Sequence, residues 1–276
     1  MTLTTLRAWA CLALLFLHSL AGAEVPAATA EALMHKSGVW AQLADVAPQA
    51  KAGIAQSAAG SRLDADGLRR LESLADDTFS PTRLRASFQQ VLAARLTAAQ
   101  VGDALKWFDS PTGKQITRLE EASSADAEDI NQALSDGNQA LATASSRRQS
   151  LLAQVVRVTR AAEGMVSMQI NTTVGVLQGL ASALPDQPTP TAPQLRAMFE
   201  AQRPQMLATS TGVMLTLFAR TYQPASDRAL EQYVRFLSSK SGAALSAAMM
   251  DAMDEALAAA AQRLGRGISE PPATSL

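Results

Sequence analysis

Apolar residues recur along this chain at intervals of three and four rather than alternating, and Ala, Leu, Gln, Met and Arg dominate it. That period belongs to helices, so the chain is expected to be all α. Within the pattern one stripe occurs twice. Val101, Ala104, Leu105 and Phe108 lead into Asp109, Ser110, Pro111, Thr112 and Gly113, while Leu230, Tyr233, Val234 and Leu237 lead into Ser238, Ser239, Lys240, Ser241 and Gly242. Trp107 and Phe236 occupy matching places, and the offset between Gly113 and Gly242 is 129 residues. Spacing and chemistry repeat together, which marks a duplicated helical unit.

The first unit reads as a short helix near Ala28 to Lys36, followed past Gly38 by a second with Leu43, Val46, Ala47, Ala50 and Ile54 on one face. Pro48 is expected to kink or break it. A third helix follows the cap Asp64, and Ser80 with Pro81 opens a fourth that turns Leu84, Phe88, Val91 and Leu92 inward. Thr97 caps the helix carrying the signature. Ser110 starts a longer one through Ile116, Leu119, Ser123 and Ile130, which Asp136, Gly137 and Asn138 are expected to stop. The second unit runs as one helical stretch from about Arg147 to Ala183, with the β-branched residues Val155, Val156, Val158 and Thr159 embedded in it. A loop with Pro185, Pro188, Pro190 and Pro193 comes next, then helices either side of Pro204 and a signature helix opened by Ser226. The expected organisation is a signal peptide at 1–23, a first helical unit at 24–137, a second at 138–264 packed against it, and a disordered tail at 265–276.

Helix-start chemistry explains the repeated signature. Ser110 and Ser239 are caps, each able to accept a hydrogen bond from the amide two or three residues on, and Pro111 suits a first helical position. Glycine inside a helix costs up to roughly 1 kcal/mol, so Gly113 and Gly242 point to a close approach by a backbone or ring, with Trp107 and Phe236 the candidates. The functional alternative is an anion site at this helix start, helped by Lys114; the second copy has Ala243 there. The run Ala104, Leu105, Lys106, Trp107, Phe108, Asp109, Ser110, Pro111, Thr112, Gly113, Lys114, Gln115, with its upstream helices, resembles the bacterial secreted family catalogued as domain of unknown function 2059. Tyr233 to Gly242 resembles a diverged second copy that lacks the proline and the lysine. The resemblance implies a helical protein exported by a Gram-negative bacterium, and it carries over no catalytic residue.

Composition narrows the chemistry. Arg7, an apolar stretch from Ala8 to Leu20 and the small residues Ala21, Gly22 and Ala23 read as a signal cleaved before Glu24, which predicts a periplasmic protein. The alternative, a retained anchor, needs roughly 20 apolar residues, more than this stretch supplies. The most apolar internal stretch, Met206 to Ala219, carries Thr209, Ser210, Thr211 and Thr216 and reads as a buried helix. The single cysteine, Cys11, lies inside the signal, so the mature chain has no disulfide and no thiolate. A net charge of −1 without a basic block argues against a nucleic-acid surface. His35 is the one histidine beyond the signal, which excludes a histidine-rich zinc site and leaves no nucleophile elbow for a triad. Glu120, Glu121, Asp126, Glu128 and Asp129, and likewise Asp251, Asp254 and Glu255, read as solvated helix faces. No cofactor or metal is expected.

Methionine is the one enrichment. Of ten methionines, eight fall in the second half: Met165, Met168, Met198, Met206, Met214, Met249, Met250 and Met253. Thioethers fill irregular cores, line adaptable apolar surfaces and ligate cuprous copper. Met249, Met250 and Met253 are the candidates for an apolar groove. The expectation is a noncatalytic periplasmic binding or interaction module for an apolar peptide, lipid or partner helix. Its rivals are a carboxylate hydrolase acting on an envelope substrate and a structural subunit of an envelope assembly.

Overall fold

Side-chain caps start six of the twelve described helices. Thr97 Oγ1 accepts from the Gln100 amide while Gln100 Oε1 takes the Thr97 amide at 2.8 Å, a reciprocal capping box, and Thr191 with Gln194 repeats it. Ser145 and Ser226 cap without the reciprocal bond, accepting from Arg148 N and Ala229 N. Ser80 precedes Pro81 as expected, but its side chain makes no cap hydrogen bond.

The computed structural model describes residues 25–58, 65–125, 130–183 and 190–269. Among the described residues there is no strand and there are twelve helices: α1 (Ala27–Lys36), α2 (Val39–Ala58), α3 (Ala65–Thr78), α4 (Pro81–Arg95), α5 (Ala98–Asp109), α6 (Pro111–Ala125), α7 (Ile130–Thr143), α8 (Ser146–Thr159), α9 (Ala161–Ala183), α10 (Ala192–Thr221), α11 (Asp227–Leu237) and α12 (Lys240–Ser269). The all-α expectation holds. The expected signal at 1–23, the cap Asp64 and the prolines Pro185 and Pro188 lie outside the described residues.

Four expectations need correction. The stretch from Arg147 to Ala183 is two helices, parted at Arg160, whose left-handed φ of 53° turns the chain. Pro204 sits inside α10 without ending it, as Pro48 does inside α2; each removes one helical hydrogen bond, and packing along the helix outweighs that loss. Gly137 does not stop a helix: α7 runs through it, and therefore through the expected unit boundary at 137/138. A Cβ on Gly137 would come within 2.2 Å of the Thr216 carbonyl, so the glycine is there to let α7 and α10 cross closely. Finally, α12 extends to Ser269, into the segment expected as a disordered tail, and residues 270–276 lie outside the described ones.

Packing interleaves the two halves. The first core joins Leu33, Leu43, Leu84, Phe88, Leu92 and Ala104 with Leu245, Ala252, Ala256 and Ala260 of the last helix, α12. Alanine every fourth residue gives α12 a smooth face on which α4 and α9 lie. In the second core Ile116 of α6 enters among Leu152, Val155, Ala219, Tyr222 and Leu230 of the later helices. Val166, Ile170, Val174 and Leu195 make a third core between α9 and α10. Helices thus pack across the halves: α12, which packs most extensively on α9 of its own half, also packs on α3, α4 and α5, while α6 packs on α10 and α11 and α7 on α10.

Candidate functional site

The two corners are built alike. Ser110 Oγ accepts from the Gly113 amide at 3.0 Å and donates to the Trp107 carbonyl at 2.6 Å; Ser239 Oγ accepts from Gly242 at 3.1 Å and donates to Phe236 at 2.6 Å. A Cβ on either glycine would lie 2.0 Å from the carbonyl oxygen of Trp107 or Phe236. The close neighbour is therefore the backbone of Trp107 and Phe236, six residues back, rather than their rings. The third helical amide is taken by serine, so each corner is built as a cap.

The corners also face each other. Trp107 stacks on Phe236 with centroids 4.8 Å apart and planes 5° from parallel, and on Tyr233 at 5.8 Å. Ser241 Oγ donates to Asp103 Oδ2 at 2.9 Å, and Thr112 Oγ1 donates to Gln232 Oε1 at 2.5 Å. Asp103 and Gln232 stand at the signature's own offset, as do Thr112 and Ser241, so the two bonds exchange when the halves are exchanged. The Ser241 bond and nearby Lys106 hold the Asp103 carboxyl below its usual range.

Beside this pairing lies a cavity of about 520 Å³. Met249, Met250 and Met253 of α12 all line it, as the sequence suggested, and Met165, Met168 and Met214 join them. Phe88 and Phe108 from the first half, and Tyr233 and Phe236 from the second, complete its aromatic wall. Met168, among the lining residues, is exposed. Met198 is also exposed and Met206 packs against the third core; neither is among the lining residues. A smaller cavity of about 360 Å³ adjoins, sharing Gln42, Glu120, Thr159, Met214 and Tyr233 with the first.

Glu120 stands at that junction and was missed as a site residue. Helical spacing places it beside Glu121 on a charged run, yet α6 turns it inward, where Tyr222 and Tyr233 both donate to its Oε1, at 2.7 and 2.9 Å. It is half-buried and lines both cavities. Burial pushes its carboxyl above the usual glutamate range, against the pull of the two phenol hydrogen bonds, and Glu121 adds to the rise. Burial first, then the Glu120 charge, holds both phenols well above ordinary tyrosine, so they remain donors. The available signal was the pair of tyrosines, the only two in the chain.

The second acidic run divides as well. Arg95 bridges Asp251 and Glu255 at 3.5 and 3.3 Å on the surface, whereas Asp254 lines the larger cavity, its carboxyl raised by burial and by Asp251. No Lys, Arg or His lines that cavity among the described residues. No group of three potential metal-ligating His, Cys, Asp or Glu side chains exists among them either. His35 is not among the lining residues; it stacks on Trp40 at 4.3 Å and lies 3.9 Å from Glu31.

Fold and site together define an all-α protein whose halves interleave their helices around a methionine-walled cavity. Residues 82–140, from α4 into α7, match the family described as "Uncharacterized protein conserved in bacteria (DUF2059)", and that segment holds the first corner and Glu120. Neither the curated proteins nor the solved structures yielded a match. No described helix is long and apolar enough to cross a membrane.

Proposed function

We propose that the chain is a noncatalytic binding module of the periplasm, built from two diverged copies of one helical unit, which holds an apolar ligand in the methionine-lined cavity. The observation that carries this is the wall itself: six thioethers and four aromatic rings around about 520 Å³, a volume typical of small-molecule sites. Unbranched thioethers adjust to varied apolar shapes, which suits binding better than turnover. In support of duplication, the two residues with positive φ among those described, Gly38 and Arg160, sit at matching joints, α1 to α2 and α8 to α9. The closing helices match likewise, α6 with α7 against α12. Export rests on the pattern at 1–23 and is tested by fractionation with sequencing of the mature amino terminus, which should begin at Glu24.

Binding is tested with the neutral fluorophore N-phenyl-1-naphthylamine. Saturable enhancement at one site is expected, together with its loss in Ser246→Trp, which fills the cavity from α12. Absence of saturable binding to the full chain overturns the reading. A hydrolase is the second reading, favoured by one observation: Glu120 and Asp254 line the same cavity and both carboxyls are raised. Peptidoglycan turnover by the purified chain, lost in Glu120→Gln, would select it. A structural subunit is the third reading; the exposed large hydrophobics among the described residues are Ile130, Met168 and Met198.

A further inference from the structure

We infer that the cavity takes an amphiphile with a protonated amine at one end, its apolar body among the methionines and its ammonium at Glu120. The inference rests on the binding reading above and adds the chemistry of the ligand. Both charged residues lining the larger cavity, Glu120 and Asp254, are carboxylates; Arg203, outside the lining, acts on Asp254 through its charge, and no basic side chain does so on Glu120 among the described residues. An anionic head would find only acidic groups there, and a neutral one would gain no ion pair, whereas an ammonium supplies the counter-charge that lets Glu120 ionise in a poorly solvated site.

The geometry at Glu120 leaves room for a ligand. Tyr222 and Tyr233 both donate to Oε1, which fixes the plane of the carboxyl group, and Oε2 takes no hydrogen bond from the described residues. An ammonium at Oε2 would form a charge-assisted hydrogen bond with a carboxylate already oriented for it. Tyr233, Phe108 and Phe236 line the same space and present π-systems that attract a cation. Burial favours the neutral form of the empty Glu120, and an arriving ammonium offsets that desolvation. Aliphatic tails match the remaining wall, which includes the exposed Met168.

Calorimetric titration of the full chain with n-decylammonium, n-decanol and n-decanoate, each below its micelle-forming concentration, separates the head group from the tail. The amine is expected to bind at least about tenfold more tightly than the alcohol, with the carboxylate weakest. Glu120→Gln, which keeps an oxygen for the two phenols, is expected to abolish the preference for the amine and leave alcohol binding intact. Asp254→Asn is expected to reduce the preference in part, and it serves if circular dichroism shows that Glu120→Gln has lost its helicity. Equal binding of amine and alcohol, or a preference for decanoate, overturns the inference while the apolar cavity stands. A preference for the amine unchanged in both variants overturns it as well. Failure of all three probes to bind overturns both this inference and the binding reading.

Discussion

Glycines of the same chemical identity do opposite things in this chain, because what surrounds each is different. Gly113 and Gly242 lie against the carbonyl of the preceding helix, and Gly137 against Thr216 of α10. Gly102 and Gly212 face open space. Gly113→Ala should therefore destabilise by about 2–3 kcal/mol, since backbone has to move to admit the methyl group. Gly102→Ala should stabilise by about 0.5–1 kcal/mol through helix propensity alone. Urea midpoints at unchanged slope test the pair, and shifts of the same sign would contradict the assignment. Arg148 is the residue-scale clamp: one amine nitrogen donates to Asp227 at 2.8 Å, while the other reaches the Tyr222 carbonyl and that of Ala225 at 2.9 Å. It ties the turn between α10 and α11 to α8.

At the scale of elements, the corner works because two local rules agree. A serine both caps the new helix and accepts no further amide, and a glycine three residues on lets the old helix end directly above it. The stacked Trp107 and Phe236 rings then hold one corner to the other. Trp107→Ala should cost about 3 kcal/mol in thermal or urea unfolding, since it removes the stack with Phe236 and the contact with Tyr233 together. Phe236→Ala, the matching truncation, should be less than additive with it, because both delete one shared contact; full additivity would mean that the rings act independently.

Across the whole molecule, the buried carboxyl at the cavity junction ties stability to pH. Glu120 has its proton affinity raised by folding, so its contribution is fully present below the unfolded value and is lost as pH rises through the folded one. Asp254 acts in the same direction. Asp103, Asp109 and Glu200, held below their usual range by partners on the surface, act in the opposite sense and only in more acid solution. Glu120→Gln should thus melt higher than the parent by a margin that widens as pH is raised from the ordinary glutamate range toward neutrality. A margin independent of pH would mean that Glu120 titrates as though exposed.

Local chemistry was legible in the residues themselves. Period, caps and the serine-to-glycine spacing act within four residues of chain, so the all-α class, the corners at Ser110 and Ser239, and the methionine stripe at Met249, Met250 and Met253 could be read without coordinates. Partnership between helices could not. Whether Glu120 faces water or two tyrosines, whether Gly137 stops a helix or admits α10, and which helices of either half α12 meets depend on contacts far apart in the chain. A left-handed turn at Arg160, where no glycine announces it, belongs with these. Helical spacing defines which residues share a face, and only the packed fold determines what that face meets.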